Sequence, residues 1–174
     1  MEIIFDTPRL WLREFTEADA PLVYQLNSEP AIFKYLHGPV MTDIAQAHEM
    51  LVDAMLPQYR FHLGRWAIHA KSNDAFLGWC GLKLMEDMGT VDLGYRLLPS
   101  AWGKGYATEA ARYTLQYGFQ VLQLEVITGM AHVDNTASLR VLEKIGMQFL
   151  RNDVVLACPV RVYTRSRHPG EMIC

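Results

Sequence analysis

The sequence predicts an α+β fold, and the spacing of its apolar residues supports that prediction in two ways. Segments of alternating polarity, typical of strands, are interleaved with segments whose apolar residues recur every three or four positions, typical of helices. Residues 75–85 and 90–98 are both strand-like, and only residues 86–89 (EDMG) separate them, a length that favours an antiparallel hairpin. There is no repeat, low-complexity segment or linker, so one domain over residues 1–174 is expected.

The first elements follow from local signals near the N-terminus. Residues 3–15 alternate in polarity and predict a strand. Thr16, followed three residues later by Asp19, approximates a capping box and predicts the start of a helix. Thr42 predicts the cap of a second helix and Pro57 predicts its end, since the residue before a proline avoids the helical region. The apolar stripe of that second helix consists of Ala47, Met50, Leu51, Ala54 and Met55.

The middle of the chain predicts three strands, the last of which has two contrasting faces. The strands lie near residues 65–70, 75–85 and 90–98. Successive side chains of a strand point to opposite sides of the sheet. One face of the third strand therefore carries Val91, Leu93, Tyr95 and Leu97, and the other carries Asp92, Gly94 and Arg96.

The second half of the chain predicts two helices and three strands. Asn135 is the expected N-cap of the second of these helices, and Gly146 is expected to end it in the left-handed conformation. The first helix is expected over about residues 105–119, and the strands over residues 123–131, 149–156 and 160–165. The tail after about residue 167 is expected to be loose.

Composition and charge exclude several classes of protein. The chain has 51% hydrophobic and 20% charged residues and a net charge of −3, and its 16 basic residues are scattered. A nucleic-acid binder concentrates basic residues, because neutralising phosphates supplies much of its affinity. No apolar run could span a membrane, no signal peptide is expected, and the three cysteines and six histidines show no disulfide or metal spacing. We therefore expect a cytoplasmic protein without a metal, a nucleic-acid partner or a membrane anchor.

Two glycines, Gly103 and Gly105, lie between the strand at residues 90–98 and the long helix. Backbone N–H groups exposed in such a turn, together with the positive end of the helix, form an anion site suited to a pyrophosphate. Glycine is required because a Cβ would hold the phosphate oxygens away from the backbone. The segment therefore predicts a site for a nucleotide or a coenzyme.

Two common nucleotide-binding loops match this segment less well. A P-loop has a serine or threonine directly after its lysine, whereas Gly105 follows Lys104. A dinucleotide fingerprint needs glycine or alanine at Thr108, although Glu125 does lie at the distance of its ribose-binding acid. The antiparallel hairpin before the loop also argues against a doubly wound sheet.

The segment resembles the pyrophosphate loop of the GNAT superfamily of acyl-CoA N-acyltransferases, whose pattern is Arg or Gln, two residues, Gly, one residue, then Gly or Ala. The pattern falls on Trp102, Gly105 and Ala107, and Trp102 departs from it. TPRLWLREFTEADA, LGYRLLPSAWGKGYATEA and DNTASLRVLEKIGMQF, in that order, resemble the branch that contains the ribosomal-protein N-terminal (alanine/serine) acetyltransferases. The resemblance covers nearly the whole chain.

The resemblance implies a mixed, splayed central sheet of about seven strands flanked by about four helices, with acetyl-CoA in the wedge between the strands around Leu97 and Val126. It implies direct transfer of the acetyl group of acetyl-CoA to a primary amine in a ternary complex. The amine would belong to a protein N-terminus or a small molecule, and the enzyme would be a monomer or a homodimer. The alternative is a catalytically weak acyl-CoA-binding module that acts as a sensor or regulator.

The resemblance also implies roles for individual residues. Near Leu97 a backbone N–H is expected to hold the acetyl oxygen, and Lys104 is expected to contact a CoA phosphate. Ser138 is a catalytic candidate whose hydroxyl would lie near the CoA thiol; the alternative is that the hydroxyl donates to an upstream backbone carbonyl. Asn135 matches the same CoA-binding block, and its position is also explained as an N-cap that accepts from the Ser138 N–H. The cofactor-binding positions are Leu97, Leu98, Trp102, Gly103, Lys104, Gly105, Tyr106, Ala107, Asn135 and Ser138.

Asp92 is the other catalytic candidate, because it matches a position where many relatives carry a glutamate that acts as a base. In a regular hairpin around residues 86–89, Lys83 lies opposite Asp92. Such a pair would lower the pKa of the carboxylate and weaken it as a base. We therefore predict that Ser138→Ala lowers activity more than Asp92→Asn does.

Several other side chains have both structural and functional interpretations. Glu109 is predicted to lie on the surface and to pair with Arg112 one helical turn later. His132, just beyond a strand end, is predicted to be a surface histidine. Three aromatic residues have two alternative interpretations, as the lining of an acceptor cleft or as part of the core: Phe33, Trp66 and Trp79.

Overall fold

The computed structural model describes residues 3–36 and 38–167 and places their eight strands in one mixed sheet. The strands are β1 (Ile3–Asp6), β2 (Leu10–Arg13), β3 (Gly64–Ala70), β4 (Phe76–Met85), β5 (Thr90–Leu97), β6 (Val126–His132), β7 (Gln148–Val155) and β8 (Cys158–Ser166). The α-helices are α1 (Ala20–Asn27), α2 (Ile44–Met50), α3 (Tyr106–Gln120) and α4 (Thr136–Lys144). The predicted α+β fold is confirmed, with eight strands instead of about seven. The predicted loose tail lies outside the described residues.

The order of the strands creates a wedge in the middle of the sheet. Across the sheet the order is β1-β2-β3-β4-β5-β6-β8-β7, and every neighbouring pair is antiparallel except β5 and β6. Those two strands are parallel because α3 carries the chain back between them. In the described part of the chain they pair only at Asp92 with Thr128 and at Leu93 with Gly129. Toward their carboxyl ends the two strands part, so the predicted splay is confirmed.

The prediction of a single strand over residues 3–15 is wrong, because this segment is the hairpin of β1 and β2. Thr7 closes the turn: its N–H donates to the Leu10 carbonyl (2.8 Å) and its hydroxyl accepts from the Leu10 N–H (2.9 Å). Pro8 lies in this turn and has no N–H to donate to a sheet. The helix start after β2 is as predicted, since the Asp19 carboxylate accepts from the Thr16 N–H (2.7 Å).

The second helix begins one residue later than predicted and then changes pitch. Its N-cap is Asp43, not Thr42. The α-helical turns of α2 are followed by a π turn over Leu51–Met55 and a 3-10 segment over Leu56–Phe61. Pro57 lies in the first turn of that last segment, a position that tolerates a residue without an N–H. The residues of the predicted apolar stripe that are buried are Ala47, Leu51 and Met55.

The helices in the second half of the chain lie where the sequence places them. Gly105 precedes α3, and Asn135 caps α4 by accepting from the Ser138 N–H (3.2 Å). Gly146, with a φ of 81°, ends α4 in the left-handed conformation as predicted. The strand β6 starts three residues later than predicted, because Gln123 also has a left-handed φ, of 55°, and interrupts the extended backbone.

Two apolar layers cover the two faces of the sheet. Leu115 of α3 and Leu142 of α4 are buried against one face, and Val23 of α1 and Leu51, after α2, are buried in the cluster on the other. Each fully buried side chain of this size stabilises the fold by about 1.5–3 kcal/mol. This packing holds the sheet on both sides of the wedge.

Within residues 3–36 and 38–167, no helix is long and apolar enough to cross a membrane.

Candidate active site

The wedge exposes backbone groups of β5 that a continuous sheet would pair. Just after β5 the Leu98 N–H donates to the carbonyl of Leu77 in β4 (2.9 Å). Alternate residues of a strand point their N–H groups toward opposite neighbours, so the N–H of Leu97 points toward the wedge. This N–H is a donor for a carbonyl oxygen that lies between β5 and β6.

Trp102 connects the loop after β5 to the end of that strand. Its indole Nε1 donates to the Leu97 carbonyl (2.8 Å), while 49% of the residue surface remains exposed. The hydrogen bond fixes the loop relative to the wedge. The residue that departs from the family pattern therefore has a positioning contact of its own.

The two loop glycines have left-handed backbones, with φ of 72° at Gly103 and 79° at Gly105. Residues with a Cβ rarely adopt this conformation. A Cβ at Gly103 would meet nothing within 4 Å, and one at Gly105 would lie 3.4 Å from Arg9 Nη2. Within the chain, glycine is therefore required here by the backbone conformation and not by crowding.

The loop directs several N–H groups outward at the start of α3. The Lys104 carbonyl accepts from Arg9 Nη1 (2.9 Å), so the N–H of the same trans peptide, which belongs to Gly105, points away from Arg9. The Gly105 carbonyl accepts from the Glu109 N–H (3.0 Å), which closes the first turn of α3. The N–H groups of residues 106–108 therefore have no carbonyl partner within the helix. Together with the helix dipole, these amides form an anion site.

Glu109 joins the β1–β2 turn to α3, and the predicted surface pair with Arg112 is wrong. Its carboxylate accepts from Arg9 Nε (2.6 Å), from the Arg9 N–H (2.9 Å) and from the Thr7 hydroxyl (2.6 Å). Burial acts to raise the pKa of Glu109, but these hydrogen bonds outweigh it and the pKa is lowered. Through Glu109, Arg9 is held where it binds the Lys104 carbonyl. Arg9 was missed because it lies about 100 residues from the loop.

Asp92 lies at the narrow end of the wedge and is paired with Arg65 of β3. Arg65 Nη2 donates to Asp92 Oδ2 (3.0 Å), and Arg65 Nη1 donates to the Gly81 carbonyl (2.7 Å) and the Asp92 carbonyl (3.2 Å). Asp92 is 6% exposed, and its Oδ1 is buried without a hydrogen-bond partner. One carboxylate oxygen is therefore held, while the other is buried with an unused acceptor.

Two glycines permit the close approach of β3 and its Arg65 side chain, which crosses from β3 over β4 to β5: Gly94 leaves room for the guanidinium, and Gly81 leaves room for the β3 backbone. A Cβ at Gly94 would lie 2.8 Å from Arg65 Nη2, and a Cβ at Gly81 would collide with the Gly64 carbonyl. A larger residue at Gly94 would displace the guanidinium from Asp92. The Arg65–Asp92 pair therefore depends on small residues in β4 and β5.

The environment of Asp92 changes the expectation for its pKa. Lys83 does lie opposite Asp92 in the β4–β5 ladder, as predicted, but the carboxylate hydrogen-bonds Arg65 instead. Burial raises the pKa of Asp92, and the lowering effects of Arg65 and Lys83 do not offset it. Lys83 does act to lower the pKa, as predicted, but the predicted net lowering is wrong because burial outweighs it. A register position does not reveal how deeply a side chain is buried.

Arg96 lies on the same face of β5, beyond the point where β5 and β6 part. Its guanidinium donates to the Asn27 side-chain oxygen and lies 5.4 Å from the Phe33 ring centre and 5.5 Å from that of Trp79. The Arg65 guanidinium lies 4.9 Å from the ring centre of Trp79. Phe33 and Trp79 are thus close to the wedge. Trp66 is 1% exposed and packs edge-on against Phe5 and Tyr117, so it belongs to the core.

Tyr95 bridges the wedge from the other face of β5, and the sequence did not single it out for this role. Its hydroxyl donates to the Ser138 carbonyl on α4 (3.2 Å). Burial raises the pKa of Tyr95 above its ordinary value, so it remains a protonated donor. Ser138 is partly exposed beside this contact, and no residue in the described ranges hydrogen-bonds its hydroxyl. That hydroxyl is therefore free to bind a ligand in the wedge.

Two further residues limit the chemistry of the site. The prediction that His132 lies on the surface is wrong, because its side chain is half-buried. Its Nδ1 accepts from the Asp134 N–H (3.1 Å), and its ring lies 5.6 Å from that of Tyr35.

The Cys80 thiol is buried beside the Thr114 hydroxyl (3.3 Å), and burial raises its pKa to about 11, which suppresses the nucleophilic thiolate. Across residues 3–36 and 38–167, no group of three metal-ligating side chains is present.

Comparisons with known proteins agree on one family. Residues 9–148 match the family described as acetyltransferase (GNAT) domain. The chain is 32% identical to a protein named uncharacterized N-acetyltransferase p20 from Bacillus licheniformis. The alignment spans 149 residues and covers 85% of this chain and 83% of that protein.

Solved structures of similar shape carry two different acceptor names. The ribosomal L7/L12 α-N-protein acetyltransferase RimL, solved in complex with coenzyme A, superposes with a TM-score of 0.81 at 20% identity, over 95% of this chain and 98% of that one. A spermidine N-acetyltransferase from Vibrio cholerae, solved with CoA and spermine, gives 0.76 at 17% identity, over 92% and 96%. At these identities the likeness establishes the fold.

Proposed function

The chain belongs to the GNAT acetyltransferase family and is an acetyl-CoA-dependent N-acetyltransferase, and on that premise we propose that it transfers the acetyl group directly to a primary amine bound in the wedge, with Asp92 as the base that receives its proton. The amine belongs to a protein N-terminus or a small molecule. The observation that carries the proposal is the wedge between β5 and β6, with outward amides at its mouth and a buried carboxylate at its narrow end.

The residues at the mouth of the wedge fit a coenzyme pyrophosphate. The Gly105 N–H and the first amides of α3 point outward, and Lys104 adds a positive charge beside them. Leu97 and Leu98 border the open edge of β5, and the Leu97 N–H would stabilise negative charge on the acetyl oxygen. Acetyl-CoA supplies the activated acetyl group. Asn135 and Ser138 line the opposite side of the wedge.

Asp92 is suited to accept the proton of the attacking amine. Arg65 holds Oδ2, which fixes the carboxylate, while Oδ1 is buried and has no partner in the described protein. This oxygen would receive the proton of the amine through water molecules in the wedge. A raised pKa makes the carboxylate a stronger base than an ordinary aspartate. Both properties favour a catalytic role for Asp92.

Direct transfer in a ternary complex predicts a specific kinetic pattern. The Cys80 thiol is buried with a raised pKa, so it is a poor nucleophile for an acetyl-enzyme intermediate. Initial rates measured at several fixed amine concentrations should give intersecting double-reciprocal lines against acetyl-CoA. Parallel lines, together with acetylated protein trapped in the absence of amine, would show a covalent route instead.

Ser138→Ala is expected to lower kcat about 3- to 10-fold with little change in acetyl-CoA affinity. A thiol with a pKa near 8.5 is a tolerable leaving group and needs only limited help from a hydroxyl donor. Thiol release measured over a range of acetyl-CoA concentrations separates kcat from KM. Thr136→Ala, on the exposed first turn of α4, serves as the control. A loss above about 100-fold in Ser138→Ala would assign Ser138 the main proton-transfer role.

A further inference from the structure

Arg96 is a partly buried cation without a carboxylate partner in the described ranges. Its guanidinium is bonded to the neutral side-chain amide of Asn27 and flanked by the rings of Phe33 and Trp79. Every salt bridge resolved within residues 3–36 and 38–167 involves other residues. Burying an unpaired charge is costly, so a cation in this position needs an anion supplied from elsewhere.

The guanidinium also has donors to spare. An arginine has five N–H groups, and the one protein oxygen that Arg96 binds belongs to Asn27. The buried side-chain nitrogens without a partner belong to Arg13 and His69, so the remaining Arg96 donors are either bonded or open to solvent. Since the described part of the chain gives them no second acceptor, they face open space.

The neighbouring charges do not neutralise Arg96. Arg65 and Asp92 form a balanced pair, and Arg65 and Arg96 share the Trp79 ring. Burial, assisted by the nearby Arg65 charge, lowers the pKa of Arg96 to about 10, which still leaves it charged near neutral pH. This face of β5 therefore carries one uncompensated positive charge, on the same strand as the proposed base and nearer the open end of the wedge.

We propose that Arg96 determines acceptor specificity by binding a carboxylate on the acceptor, so that the preferred substrate is a primary amine whose molecule also carries a carboxylate. This inference rests on the proposed function, since it concerns the amine that attacks acetyl-CoA in the wedge. The planar guanidinium offers two parallel N–H groups to a carboxylate, and Phe33 and Trp79 keep that fork in position. A polycation such as spermidine would be repelled by the same charge.

The test compares matched acceptors. Thiol release is measured for wild type and Arg96→Gln with amino acids and their carboxamides, with peptides that begin with Asp or Glu and with Asn or Gln, and with spermidine. We expect wild type to prefer the carboxylate of at least one matched pair about 100-fold in kcat/KM. Arg96→Gln should abolish that preference and leave the carboxamide rate within about 3-fold. Arg96→Lys should restore part of it, since the charge returns without the fork.

The arms separate the possible outcomes. A preference confined to free amino acids identifies a small-molecule acceptor, and one confined to acidic peptides identifies a protein N-terminus. Arg151→Gln, which removes an arginine from the edge strand β7, should behave as wild type. Equal rates for carboxylates and carboxamides, or a preference that survives Arg96→Gln, would overturn the inference while acetyl transfer stands. No thiol release with any amine would overturn both.

Discussion

Asp92→Asn is expected to lower kcat about 10²–10⁴-fold while the affinity for acetyl-CoA stays nearly unchanged. The substitution preserves the shape of the side chain but removes the basic oxygen that has no partner, Oδ1. The earlier reason for expecting a small effect, a lowered pKa from Lys83, does not hold, because burial raises the pKa. We therefore expect a larger loss here than for Ser138→Ala. Thiol release and calorimetric binding of acetyl-CoA measure the two quantities.

The double variant Arg65→Met with Asp92→Asn separates catalysis from packing. Asp92→Asn alone leaves Arg65 as a buried, unpaired cation, which is itself destabilising. Removing both charges relieves that cost. If Asp92 is the base, the double variant folds stably, binds acetyl-CoA and stays slow. Recovery of near wild-type turnover in the double variant would show that Asp92 serves only to neutralise Arg65.

The pH profile adds a second readout for the same residue. A base acts when it is deprotonated, so the rate should rise with pH through the raised pKa of Asp92. In Asp92→Asn that limb should disappear and leave only the rise at higher pH that follows deprotonation of the amine. Arg65 lowers that pKa, so Arg65→Gln should move the acidic limb to higher pH. The penalty of Asp92→Asn should shrink at high pH, where more of the amine is already neutral. An unmoved limb in Arg65→Gln would point to a different titrating group.

Gly105→Asp is expected to weaken acetyl-CoA binding about 100-fold or more. The new side chain would add a Cβ and a negative charge beside the amides that bind the pyrophosphate, which costs several hydrogen bonds to a charged group. Calorimetric titration of the free protein measures the change. Equal affinity in variant and wild type would remove the loop from the binding site.

Two additional variants serve as controls for the Gly105→Asp result. The Cβ position lies 3.4 Å from Arg9 Nη2, so an aspartate could form an ion pair there, and Gly105→Val tests the steric effect without a charge. Gly89→Asp is the matched control, because Gly89 also has a left-handed φ, of 60°, and nothing lies within 4 Å of its Cβ position. Gly89→Asp should bind acetyl-CoA as wild type does.

Local sequence signals were sufficient for most of the fold. The β4–β5 hairpin, the start of α3 after Gly105, and the Asn135 and Gly146 boundaries of α4 depend on neighbours within a few residues. Two elements differed because competing local effects are hard to rank: the turn at Thr7 divides an alternating segment, and a π turn changes the pitch after α2. One domain over residues 1–174 stays a prediction.

The contacts that define the site could be predicted less well. The partner of Asp92 is Arg65, two strands away, and the partner of Glu109 is Arg9, in the β1–β2 turn. Sequence spacing indicates which side chains share a helix face or a ladder position, so it suggested Arg112 and Lys83 instead. The choice between near and distant partners depends on burial and on small residues such as Gly94, which only the assembled sheet reveals.

The central claim is that the protein moves the acetyl group of acetyl-CoA to an amine, and amine-dependent thiol release by the wild-type protein tests it most directly. Mass spectrometry of the acceptor in the same reaction counts the acetyl groups transferred. We predict one acetylated amine for each CoA thiol released, at a rate that saturates with the amine. Tight binding of acetyl-CoA with no thiol release above the amine-free background, across the whole panel of acceptors, would contradict the claim and identify a binding module.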